Sequence, residues 1–197
     1  MTYPQTFYAY LLVLLFGASA TAGEWTYKTT EDGQFKLGRN GPNLSVEVRS
    51  MTVTFRVPED WQITSCIDEP MDFIFAADSP ANDLSLAFTM DKNVRHLSPA
   101  GQYNSHLEHI RTVYDDKVQM STERPFRLHD GRRLTPHRYF SDYWGQRLVL
   151  LIPEDEYTCQ FEFTARRSLS DLRESHAAIQ RLLDSYRCSH KTDLPNR

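Results

Sequence analysis

Between Val46 and Val57 apolar and polar positions alternate. Val46, Val48, Met51, Val53, Phe55 and Val57 form the apolar set, with Thr52, Thr54 and Arg56 opposite. Such alternation marks a half-buried strand, and Pro58, which has no N–H to give a ladder, ends it. Phe73 to Ala77 and Leu84 to Met90 read as two further strands joined by the turn-rich segment Asp78 to Asp83. In the second, Leu84, Leu86, Phe88 and Met90 share a face. The period then changes. Tyr103, Leu107, Ile110 and Tyr114 recur at spacings of four, three and four, which is one stripe of a helix. Ser98 is its expected N-cap, and Pro99 takes the first helical position, where a missing N–H costs nothing.

After this helix the strand pattern returns. Phe126 to His129 and Arg133 to Tyr139 flank Asp130-Gly131, a dipeptide that predicts a type I′ hairpin with positive φ at both residues. A second hairpin is expected about Tyr143-Trp144-Gly145-Gln146, leading into Arg147 to Ile152. Tyr157 to Thr164 alternates, with Tyr157, Cys159, Phe161 and Phe163 on its apolar side, and predicts an antiparallel sheet with one packed face. The last element is a helix opened by Ser168 or Ser170, with Leu169, Leu172, Ile179, Leu182, Leu183 and Tyr186 on one side. Each helix has one apolar stripe and must cover a sheet face, so the predicted class is α+β, an antiparallel sheet covered by helices.

Composition adds location and exclusions. Residues 1–22 contain no Lys, Arg, Asp or Glu, and the apolar run Ala9 to Phe16 is followed by Gly17 to Ala22, all small residues. Spanning a bilayer takes about 18–20 apolar residues, so this short run predicts a signal peptide cut after Ala20-Thr21-Ala22 rather than an anchor. Residues 23–190 then form a single globular domain, with 191–197 a flexible polar tail. A periplasmic or secreted protein follows, with no stable membrane insertion after cleavage. A formal net charge of −4 gives no case for a nucleic-acid partner.

Export favours disulfides. Cys159 sits on the apolar side of its strand, which leaves Cys66 and Cys188, one in a loop and one just past a helix end, as the expected pair. No nucleophile elbow, phosphate loop or dinucleotide fingerprint occurs, so no catalytic residue, metal or cofactor is assigned. His106 and His109, one helical turn apart, are the alternative: with a third ligand they would hold a metal in a small envelope hydrolase or metal-dependent enzyme. Cys188 and His190 are close in sequence, but a tail position would not hold them together. The most specific surface is the double hairpin. Arg127, Arg132, Arg133, Arg138, Tyr143 and Trp144 concentrate there, and arginine with aromatics is the composition of binding hot spots.

The strand end Val57-Pro58-Glu59-Asp60-Trp61 resembles the V-P-x-x-W signature of the PsbP/Mog1-like superfamily. The middle helix, the three antiparallel strands after it and the closing helix ending Ile179 to Tyr186 are also similar, over residues 44–187. The resemblance implies an α-β-α sandwich about an antiparallel sheet and a binding role, and it carries no catalytic residues. The expected function is therefore an exported, non-enzymatic protein-binding factor. It would dock another protein, a toxin or an envelope component, through the arginine and aromatic hairpins, as an envelope accessory or an immunity protein. A small-ligand or lipid carrier with a pocket between helix and sheet is the remaining alternative.

Overall fold

A computed structural model describes residues 24–30, 33–49, 51–65, 74–80, 84–93, 95–114, 121–122, 124–141, 145–165 and 176–190. Residues 1–22, Cys66, Tyr143, Trp144 and the segment 191–197 lie outside these residues. The chain opens with a meander: β1 (Glu24–Thr30), β2 (Gly33–Asn40), β3 (Asn43–Val48) and β4 (Met51–Arg56). Then follow β5 (Gln62–Ser65), β6 (Phe75–Asp78), β7 (Leu84–Lys92) and helix α1 (Pro99–Tyr114). The next strands are β8 (Ser121–Thr122), β9 (Phe126–Arg127), β10 (Arg133–Leu134) and β11 (His137–Ser141). β12 (Gly145–Pro153), β13 (Tyr157–Ala165), helix α2 (His176–Ser185) and β14 (Arg187–His190) complete it.

The strands form two antiparallel sheets and a short ribbon. Their orders are β1-β2-β3-β4-β14, then β5-β6-β7-β13-β12-β11-β8, with β9 and β10 paired separately. The sheets meet at an aromatic cluster, where Phe55 of β4 lies 5.4, 5.1 and 5.0 Å from Phe75, Phe88 and Phe161 of the larger sheet. Ile179, Leu182 and Leu183 of α2 join the same core. Ser185 ties the helix to β4, its Oγ accepting from the Arg56 N–H at 2.7 Å. The α+β class, an antiparallel sheet covered by helices, is as expected. The inner cover of the larger sheet is made by the smaller sheet together with α2.

Several local readings are corrected. Val46 to Val57 is a hairpin, not one strand: Val48 pairs with Met51 across a tight turn in which Arg49 has φ of 48°. Asp130-Gly131 is not a type I′ turn. Gly131 alone of the two takes positive φ, at 89°, and its N–H donates to Leu128 O at 3.0 Å, so the loop is His129-Asp130-Gly131 with glycine in its last place. Arg133 to Tyr139 is broken at Thr135-Pro136 into β10 and β11, which belong to different sheets, and Pro136 is buried at the break. Residues 187–190, expected beyond the last helix, form a strand against β4.

The largest correction concerns the packed face of β13. Thr158, Gln160 and Glu162, on its polar side, are only 9%, 9% and 7% exposed. Their neighbours on that side include Val149 and Leu151 of β12, which are also buried. α1 covers this layer. Its buried Gln102 accepts a hydrogen bond from the Thr158 hydroxyl, and its Tyr103 ring lies tilted at 55° with its centroid 4.0 Å from that of His137 of β11. The charged members are paired, Arg147 Nη1 donating to Glu162 Oε1 at 2.5 Å.

Candidate functional site

The β9–β10 ribbon is anchored on the core. Phe126, Leu128 and Leu134 sink into the core, so their neighbours in the alternation point outward. Arg127 and Arg133 pair directly across the ribbon and both are exposed, with Arg124 and His129 also exposed nearby. Among the described residues no carboxylate forms an ion pair with Arg127 or Arg133. Gln180 of α2 clamps the strand from behind, donating to Arg127 O at 2.7 Å and accepting from Arg127 N at 3.4 Å.

The other expected docking residues are placed differently. Arg132 folds back: Nε donates to Asp130 at 2.7 Å, one Nη to Glu154 at 2.9 Å and the other to Pro153 O at 3.2 Å. Burial opposes the Arg132 charge, but the two carboxylates outweigh it and hold the guanidinium protonated more firmly than usual. For Asp130, burial is likewise outweighed by the Arg132 N–H and guanidinium, so its carboxyl lies below the ordinary value. Arg138 is part-buried on β11, opposite Leu148. Tyr143 and Trp144 lie outside the described residues.

Beside the ribbon a cleft of about 440 Å³ runs between α1 and the β12 end, lined by Tyr103, Arg133, Leu134, Thr135, Leu151 and Pro153. It offers an apolar floor with Arg132 and Arg133 on its wall. A second cleft of about 430 Å³ holds His106 and His109, with Asp91, Lys92 and Arg95 around them. Burial, and then the neighbouring His109, push the His106 pKa down to about 4. Among the described residues no third Cys, Asp or Glu joins these histidines at metal-binding distance.

A third grouping was not foreseen as a site. Cys188 and His190, two apart on β14, bring Sγ and Nε2 to 4.0 Å, and Glu154 from the β12–β13 turn meets them. His190 is thus held in a strand rather than in the tail. Glu154 Oε1 accepts from Arg132 and, at 3.0 Å, from the Tyr186 hydroxyl. Burial, and then Glu154, push the Cys188 thiol up to about 12, and burial raises the enclosed Cys159 further, so neither is an ionised nucleophile near neutral pH. Cys159 and Cys188 are free thiols here. The expected Cys66–Cys188 bridge depends on a residue outside the described set. The Cys-x-His spacing was legible, but the carboxylate comes from a separate turn. Among the described residues no helix is long and apolar enough to cross a membrane.

Among the described residues the fold is an α+β sandwich of two antiparallel sheets with two helices. No family model matches the chain, and no curated protein does. The solution structure of cyanobacterial PsbP (CyanoP) from Synechocystis sp. PCC 6803 is similar to it, at 10% identity and a TM-score of 0.49, covering 90% of this chain and 99% of that one. The likeness is one of fold alone.

Proposed function

We propose that this chain is an exported, non-enzymatic binding factor that docks an acidic segment of another protein on the β9–β10 ribbon. Arg127 and Arg133 supply the charge, and the cleft beside Arg133 receives an apolar side chain of the partner. One observation carries the reading. Two like charges directly opposite each other on a ribbon cost stability, yet this pair stands exposed with no described counter-ion. A partner's carboxylates would turn that cost into bidentate, charge-assisted hydrogen bonds. Arg132 serves by fixing the loop, and Arg138 stands part-buried on β11. The partner belongs to the cell envelope or is a toxin delivered to it, since the leader sends the protein to the periplasm or medium.

The test is affinity capture from envelope extract with wild type, Arg127→Glu/Arg133→Glu and Arg132→Ala. Charge reversal should abolish a partner that wild type retains and that elutes at raised salt, with circular dichroism unchanged. The same partner held equally by the reversed variant would refute the assignment.

A further inference from the structure

We propose that Glu154, Cys188 and His190 form a binding site for one divalent ion of the zinc class. Each offers a ligand atom of a different kind, a carboxylate oxygen, a thiol sulfur and an imidazole nitrogen, and all three lie within 4.8 Å of one another. Around a tetrahedral zinc, with bonds of about 2.3 Å to sulfur and about 2.0 Å to nitrogen, the sulfur and nitrogen stand ~3.5 Å apart. The observed 4.0 Å therefore needs a closure of about half an ångström, within the reach of the exposed His190 ring. The mixed donor set suits zinc better than magnesium or calcium, which take oxygen ligands.

The surroundings are built for a cation. Glu154 is only 11% exposed in its side chain, and Arg132 and Tyr186 fix its Oε1, the outer support that orients a metal-bound carboxylate. Charge arithmetic points the same way. Asp130 and Glu154 share one guanidinium, which leaves one negative charge. On binding, the Cys188 S–H bond breaks, its proton passes to solvent, and the thiolate bonds the metal as a second negative charge. A divalent ion neutralises both. Cys188 packs against the core while His190 stands at the exposed strand end, so the fourth position opens to solvent. Catalytic zinc sites also keep an open position, but nothing here supplies a substrate, and the site is assigned as a binding site only.

Purified full-length protein, handled under argon with a non-thiol reductant, is titrated with zinc by calorimetry and with cobalt by absorbance. One equivalent of each is expected, with proton release, and cobalt should give a thiolate charge-transfer band in the near ultraviolet. Cys188→Ser should remove that band, and His190→Ala, an exposed change that leaves the fold intact, should weaken zinc at least tenfold. His106→Ala/His109→Ala should bind as wild type. Failure of the wild type to bind, a thiolate band persisting in Cys188→Ser, or unchanged affinity in His190→Ala overturns the proposal. So does recovery of Cys188 in a disulfide from the protein as isolated.

Discussion

Replacing Glu162 by Gln probes the buried polar layer under α1. Glu162 and Arg147 are only 9% and 11% exposed in their side chains, and they meet at 2.5 Å. The amide of glutamine still accepts a hydrogen bond, but it removes the negative charge that Arg147 Nη1 meets in a largely dry layer. Removing one partner of a buried pair costs about 3–5 kcal/mol, and the retained hydrogen bond places Glu162→Gln at the lower end, about 3 kcal/mol. For a chain of this size that lowers Tm by ~6–12 °C. With a urea m value of roughly 2 kcal/mol/M, the midpoint falls by about 1.5 M. The assay is urea unfolding followed by circular dichroism, with Arg147→Met/Glu162→Met alongside. The double variant should lose less than the single one, because both charges of this pair are removed together. A loss below about 1 kcal/mol for Glu162→Gln is what an exposed pair gives, and would refute a covered outer face.

His137 supplies a pH signature. Burial lowers its pKa from 6.5 to about 4, so the unfolded chain takes up a proton that the folded chain refuses. Its contribution is complete above about pH 6.5 and is lost as pH falls towards 4, with a slope of up to about 1.4 kcal/mol per pH unit. Urea midpoints between pH 4 and 7 should show this slope flattened in His137→Asn; identical slopes would count against burial. Gln180→Ala removes two hydrogen bonds to Arg127 and should cost about 1 kcal/mol, with faster amide exchange in the ribbon and slow exchange kept in β13. Gly131→Ala meets no atom within 4 Å but must adopt φ of 89°, so a loss of about 1 kcal/mol arises from backbone strain alone; no loss would contradict the turn geometry.

Much of the framework was legible because it rests on alternation and capping. Leu84 to Met90, Tyr157 to Thr164 and the Ser98-Pro99 helix start appear where the pattern puts them, and the Ser98 Oγ accepts from the Gly101 N–H at 3.2 Å. The β3–β4 hairpin left a trace that a single-strand reading overlooks: the apolar set moves from even positions at Val46 and Val48 to odd ones from Met51. The β2–β3 turn is Gly41-Pro42, with Gly41 at φ of 58°, a conformation that glycine adopts without cost. β14 left no such trace, since Arg187 to His190 has no apolar alternation and is a strand only through pairing with β4. The covered polar face of β13 was hidden for a related reason: Thr158, Gln160 and Glu162 read as solvent-facing until α1, Gln102 and Arg147 are placed over and beside them. Arginine at the hairpins was visible, but which arginine points outward depends on partners distant in sequence. Glu154, 22 residues from Arg132, turns that side chain inward, whereas Arg127 and Arg133 find no such partner among the described residues.

The most direct test of docking at the ribbon is site-specific photocrosslinking in the producing cells. A photoreactive residue is placed at Arg127 or Arg133, and for comparison at the exposed Glu108 of α1. Adducts of one defined mass at the two ribbon positions, absent at Glu108 and lost when the opposite arginine is reversed to glutamate, are the expected result. Adducts equal at all three positions, or confined to Glu108, would contradict it.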